Sequence, residues 1–169
     1  MSPAGALHHV EVWVGDLARA EDSFGWLLGA LGYEPFQRWE GGRSWALGSF
    51  YLVVEQSPAR TSDVHDRLRP GLNHLAFHAG DRTAVDALVA EAPAHGWRLL
   101  FADRHPYAGG EGVYAAYLEN ADGFEVELVA APEAPVERGE PGEPGEPGEP
   151  GESGESGESG APREDAGER

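Results

Sequence analysis

The sequence predicts an α+β protein: two βαβββ repeats forming a curved sheet with a cleft, followed by a disordered acidic tail. Three observations predict it. First, His9-Val10-Glu11-Val12-Trp13-Val14-Gly15-Asp16 returns 65 residues later as His74-Leu75-Ala76-Phe77-His78-Ala79-Gly80-Asp81. Second, each copy is an apolar strand pattern opened by His and closed by Gly-Asp, with a helical pattern behind it. Third, each half closes on a strand bearing glutamate, Tyr51-Leu52-Val53-Val54-Glu55 and Phe124-Glu125-Val126-Glu127-Leu128. Two histidines and two glutamates are therefore expected at equivalent positions of the two halves, as a pseudo-twofold metal site requires.

In the first half, Val10, Val12 and Val14 form one strand face, and His9, Glu11 and Trp13 the other. Asp16 suits an N-cap. Leu17, Ala20, Phe24, Leu27, Leu28 and Leu31 keep helical spacing, and Gly32 suits the residue past the helix end. Gly41-Gly42 turns the chain before a strand at 44–47, and 51–56 is the last strand of this half. Residues 57–71, with Pro58 and Pro70, read as a linker.

The second half repeats the order. Asn73, Leu75 and Phe77 face one way; His74, Ala76 and His78 face the other. Val85, Leu88, Val89 and Ala92 mark a helix that Pro93 and Gly96 end, and Gly109-Gly110 is matched to Gly41-Gly42. Strands at 113–118 and 124–129 close this half around an Asp122-Gly123 turn. The folded domain is expected over 6–132.

Residues 137–169 carry a glycine at every third position from 139 to 160, as four Gly-Glu-Pro and three Gly-Glu-Ser triplets. That segment holds 11 acids against 3 arginines and almost no apolar side chains, so it reads as an extended, disordered tail. The whole chain has a formal net charge of −18, which argues against nucleic acid and anionic membranes as partners. It has no cysteine, and all 12 of its Lys+Arg residues are arginine. Disulfides, thiolate ligands, a cysteine nucleophile and a lysine Schiff base are thereby excluded. Residues 1–7 lack a basic segment followed by an apolar one, and no run of apolar residues reaches membrane-spanning length, so a cytoplasmic protein is expected. No phosphate loop and no Gly-x-Ser-x-Gly elbow occurs.

By alternation His9, His74, Glu55 and Glu127 all lie on faces turned away from the helix-packing residues. If those faces converge, two imidazoles and two carboxylates meet around one divalent ion: Ni, Co, Fe, Mn or Zn. Four protein ligands would leave positions open for substrate oxygens, a catalytic rather than structural arrangement. Glu11, Trp13 and His78 fall on the same faces and are pocket residues by this reading. His105 and Tyr107, in the segment Asp103-Arg104-His105-Pro106-Tyr107-Ala108, suit a lid carrying an auxiliary acid or base. His8 is expected to point away from His9. Trp26, Trp39, Trp45 and Trp97 read as core or interface residues.

Residues 7–131 resemble the vicinal oxygen chelate superfamily, which includes glyoxalase I, extradiol dioxygenases, and fosfomycin- and bleomycin-resistance proteins. The carriers are His9-Val-Glu-Val-Trp-Val-Gly-Asp-Leu17, Leu72-Asn-His74-Leu-Ala-Phe and Asn120-Ala-Asp-Gly-Phe-Glu-Val-Glu127-Leu. The resemblance implies that His9, Glu55, His74 and Glu127 bind one metal ion. It also implies a lyase or isomerase of the glyoxalase type, with Glu55 or Glu127 as base, acting on a small molecule with vicinal oxygens. An Fe(II) dioxygenase, an epoxide-opening enzyme and a non-catalytic ligand-sequestering resistance protein are the alternatives. Glyoxalase I carries an arginine for glutathione where this chain has Trp13, which argues against glutathione adducts as substrates. Whether halves of one chain close the cleft, or halves of two chains in a homodimer, is left open by the pattern.

Overall fold

The computed structural model describes residues 4–132. They run β1 (His9–Trp13), α1 (Leu17–Ala30), β2 (Glu34–Trp39), β3 (Gly42–Leu47) and β4 (Phe50–Glu55). The second half follows as β5 (His74–His78), α2 (Arg82–Glu91), a 3-10 turn (Ala92–His95), β6 (Trp97–Leu99), β7 (Ala115–Asn120) and β8 (Glu125–Val129). The βαβββ order occurs twice, as the repeat in the sequence predicts. The tail at 137–169 lies outside the described residues. No helix among the described residues is long and apolar enough to cross a membrane.

The repeated Gly-Asp has a local cause. In both halves the aspartate ends the strand connection and caps the helix. Asp16 accepts from Arg19 N at 2.9 Å, and Asp81 accepts from Ala84 N at 2.8 Å. Each cap satisfies a backbone donor that the first helical turn leaves unpaired.

Two four-stranded mixed sheets result, ordered β1-β4-β3-β2 and β5-β8-β7-β6. In each, the first strand of the repeat pairs parallel with the last, and the other pairings are antiparallel. Two expectations are corrected. The strand expected at 113–118 begins at Ala115, and Gly109-Gly110 is no counterpart of Gly41-Gly42. The first glycine pair turns β2 into β3. The second lies in the long connection 100–114, which folds on its own backbone through Arg104 N to Phe101 O, Tyr107 N to Arg104 O, and Gly110 N to Tyr107 O.

One apolar core joins both halves. Val12, Val14, Trp45, Leu52 and Val54 of the first sheet pack with Leu17, Ala20, Phe24, Leu27 and Leu28 of α1. Ala116, Leu118, Val126 and Leu128 pack with Val85 and Ala92 in the second half. The join is made by α1: Phe24 meets Trp97 edge-on at 5.4 Å and Phe124 at 5.7 Å. Trp97 Nε1 donates to Ser23 O at 3.0 Å, and Arg19 Nε donates to the buried Asp122 at 2.8 Å. The core occupies one face of each sheet. The opposite faces carry the side chains singled out in the sequence, among them His9, Glu11 and Trp13, all exposed.

Phe24 is fully buried between two aromatic rings of the other half. Phe24→Ala should lower unfolding free energy by about 3–5 kcal/mol in a denaturant titration. Leu47→Ala, at a side chain 47% exposed, should stay within about 0.5 kcal/mol of wild type. Comparable losses in both variants would contradict this account of the core.

Candidate functional site

The position of each polar side chain follows from strand register. In the first half His9 lies opposite Tyr51, Glu11 opposite Val53, and Trp13 opposite Glu55. In the second, His74 lies opposite Glu125, Ala76 opposite Glu127, and His78 opposite Val129. Aligned on the leading histidines, the counterpart of Glu127 is Val53, and the counterpart of Glu55 is Val129. The expected equivalence of the two glutamates is therefore corrected. Glu55 lies two residues further along its strand, about 7 Å at the usual rise. Alternation identifies the face correctly, but a slip of two residues preserves the face, so the pattern alone leaves the slip invisible.

The second half assembles a compact polar group. Glu127 has a side chain only 13% exposed. Its Oε1 accepts from the Tyr117 hydroxyl at 2.7 Å, and its Oε2 lies 3.3 Å from His74 Nε2. Asn73 orients the imidazole. Its Nδ2 donates to Arg67 O at 3.0 Å, which turns Oδ1 toward His74 Nδ1 at 2.8 Å. Nδ1 therefore carries a hydrogen and gives it to Asn73, and Nε2 faces the carboxylate. Gly109 closes over the group: a Cβ there would sit 2.6 Å from the Tyr117 hydroxyl. Next to Glu127, Glu125 is ion-paired with Arg67 at 2.7 Å and nearly buried. Burial first, then the hydrogen bond to Glu127 and the charges of Glu127 and Glu125, push the Tyr117 pKa up to about 12.

The first half presents a different surface. His9 is exposed, with Nδ1 at 2.9 Å from His8 Nδ1 and its ring stacked on Tyr51 at 4.9 Å. His8 therefore does not point away from His9, as the sequence suggested; it precedes the strand, where alternation does not apply. Among the described residues no group of three or more His, Asp or Glu side chains is arranged to hold a metal ion. His74 and Glu127 meet, Glu55 is a pleat out of register, and His9 is engaged by His8 and Tyr51. A four-ligand divalent centre does not fit this arrangement.

The pocket residues fall into separate places. Trp13 Nε1 donates to Glu11 Oε1 at 2.8 Å, and both line a hollow of about 480 Å³ with His65, Arg69 and Phe124. His78 lines another, about 330 Å³, with Arg82 and Tyr114. His105 Nδ1 lies 3.2 Å from Ala115 O, and the Tyr107 ring packs 5.9 Å from that of Tyr114. These contacts tie both residues to the start of β7 rather than to Glu127. Sequence reasoning missed Tyr117 and Asn73. Tyr117 was within reach: counting outward from Asp122 pairs Glu119 with Glu125 and Tyr117 with Glu127.

Known proteins match this chain. The family described as the Glyoxalase/Bleomycin resistance protein/Dioxygenase superfamily matches residues 8–117. The uncharacterized protein YqjT of Bacillus subtilis is 46% identical over 126 residues, covering 73% of this chain and 98% of that protein. The crystal structure of a candidate glyoxalase from Bacillus halodurans is similar at 44% identity and TM-score 0.72, over 76% of this chain and 97% of that one. Lactoylglutathione lyase from Agrobacterium tumefaciens shares the fold at 20% identity and TM-score 0.54, over 77% and 96% of the two chains. The chain belongs to the glyoxalase/bleomycin resistance protein/dioxygenase superfamily. Members of that superfamily commonly use a metal ion.

The Tyr117 pKa, raised from 10.0 to about 12, gives a measurable signature. Between those values the folded protein keeps a proton that the unfolded chain has lost, so this group's contribution to stability is lost as pH rises through that window. An ultraviolet tyrosinate titration should show a last step near 12 that Tyr117→Phe removes, along with that part of the alkaline loss. An unchanged last step in Tyr117→Phe would contradict the assignment.

Proposed function

We propose that this chain is a lyase or isomerase of the glyoxalase type, acting on a small substrate with vicinal oxygens. Glu127 is its proton-transferring group. The observation that carries the reading is the Glu127 carboxylate held between the Tyr117 hydroxyl and His74 Nε2. A carboxylate so oriented, with little water around it, suits abstraction of a proton from carbon next to a carbonyl.

The step on a 2-hydroxy aldehyde balances with these residues. Glu127 Oε2 takes the proton from the hydroxyl-bearing carbon, that C–H electron pair becomes the new C=C bond, and the carbonyl π pair moves to its oxygen, giving an enediolate. Protonated His74 gives its Nε2 proton to that oxygen and recovers one from the hydroxyl. Glu127 then returns its proton to the former aldehyde carbon, leaving a hydroxy ketone. Tyr117 stays protonated at neutral pH and fixes the orientation of the carboxylate.

Proton–deuterium exchange tests this directly. Glyceraldehyde and lactaldehyde in D₂O are followed by NMR with the protein as purified, and after addition of Ni²⁺, Co²⁺, Fe²⁺, Mn²⁺ or Zn²⁺. Exchange at the carbon beside the carbonyl is expected and should fall at least about a hundredfold in Glu127→Gln, the usual scale of a lost general base. Exchange surviving intact in Glu127→Gln, or absent in every metal condition, would overturn the proposal. Glutathione adducts fall outside the substrate class. Trp13 offers no fixed positive charge, and its one N–H is given to Glu11. Turnover of the methylglyoxal–glutathione hemithioacetal should therefore be negligible beside that of a glyoxalase I carrying arginine at that place.

A further inference from the structure

Glu55 has no part in the group around Glu127, yet its surroundings are not those of an ordinary solvated carboxylate. Trp13 pairs with Glu55, Glu55 with Gly42, and Gly42 with Trp39, so the four form one row across β1, β4, β3 and β2. Directly paired residues point to the same side of a sheet, here the side away from the core. Both indoles are substantially exposed, Trp13 at 46% and Trp39 at 38%. The Trp39 ring does not stand upright. It lies over Gly42, where a Cβ would come within 2.0 Å of its Cζ2, and so leans toward Glu55. Gly42 is the only residue type that leaves room for this. The Glu55 side chain makes no hydrogen bond or ion pair among the described residues.

We propose that this row is a binding site for an organic ammonium ion, seated on the Glu55 carboxylate against the indole of Trp39. The hollow beside it measures about 600 Å³ and is lined by Trp39, Glu40, Glu55, Gln56, Pro58 and Arg60. Indole faces attract cations through their quadrupole, and a carboxylate without a partner supplies the opposite charge. Three carboxylates, Glu11, Glu40 and Glu55, face or border the row and disfavour an anion. The cations near the row are already matched: Arg60 by Asp63 at 2.8 Å and Ser57 O, Arg43 by Glu21 at 2.8 Å with donation to Trp39 O and Gly42 O, and Arg69 by Asp66 at 3.0 Å. The Gln56 amide oxygen is taken by Leu17 N at 3.1 Å. The Trp39 indole beside Glu55 favours an organic cation over a small inorganic one, which would seek several oxygen donors instead of an aromatic face. The site shares no residue with the proposed proton-transfer group and does not rest on its function.

The test is tryptophan fluorescence titrated with choline and with 3,3-dimethylbutan-1-ol, its neutral analogue of the same shape. Choline should give a saturable change, and the alcohol should bind at least about tenfold more weakly. Glu55→Gln, which keeps shape and removes charge, should weaken choline by about tenfold or more. Gly42→Ala, which displaces the Trp39 ring, should weaken it comparably, with circular dichroism confirming that both variants are folded. Equal binding of alcohol and choline, unaltered choline binding in either folded variant, or no saturable response to choline in wild type would each overturn the proposal.

Discussion

Everything distinctive about this molecule depends on two parallel strand pairings and the hydrogen bonds that end them. Val14 N donates to Glu55 O at 2.9 Å, and Ala79 N donates to Val129 O at the same distance. These bonds sit at the same place in the two repeats, just before the Gly-Asp that caps each helix. They set which residue of the last strand faces which residue of the first. A β-strand carries its side chains with a period of two, so each register step decides what can touch what.

That constraint makes the halves alike in fold and unlike in chemistry. In the second half it places Glu127 diagonally from His74 and directly opposite Tyr117, and a half-buried carboxylate gains two polar neighbours. In the first half the corresponding place holds Val53, only 5% exposed, and the carboxylate appears one pleat later between two tryptophans. The two repeats share one framework, and two residues of offset separate a carboxylate held by Tyr117 and His74 from one that lies in a row with Trp13 and Trp39. The core, which joins both halves through α1, is indifferent to the difference because it uses the other face of each sheet.

The fold was legible because its signals are local and occur twice. Val10-Val12-Val14 alternation, helical spacing from Leu17 to Leu31, the Asp16 and Asp81 caps and the Asp122-Gly123 turn each depend on neighbours a few residues away. The site was legible only in part. Face assignment was correct for His9, Glu55, His74 and Glu127, since alternation decides it. Register was not, because β1 and β4 are joined by a long connection whose length no local rule fixes, and the resemblance to glyoxalase I favoured a symmetric reading. Tyr117 belongs to a hairpin whose tight turn does fix register, so the same counting that fails for Glu55 succeeds there. The loop 100–114 escaped because its backbone bonds to itself and follows neither period.

The most direct measurement is the scalar coupling across backbone hydrogen bonds in ¹⁵N,¹³C-labelled protein. The register described here predicts a correlation from Val14 N to the carbonyl carbon of Glu55, with Ala79 N to Val129 as the internal reference. If Glu55 were instead the true counterpart of Glu127, the partner of Val14 would shift by two residues. A correlation from Val14 N to the carbonyl carbon of Ser57 would contradict the account and return Glu55 to the side of His9.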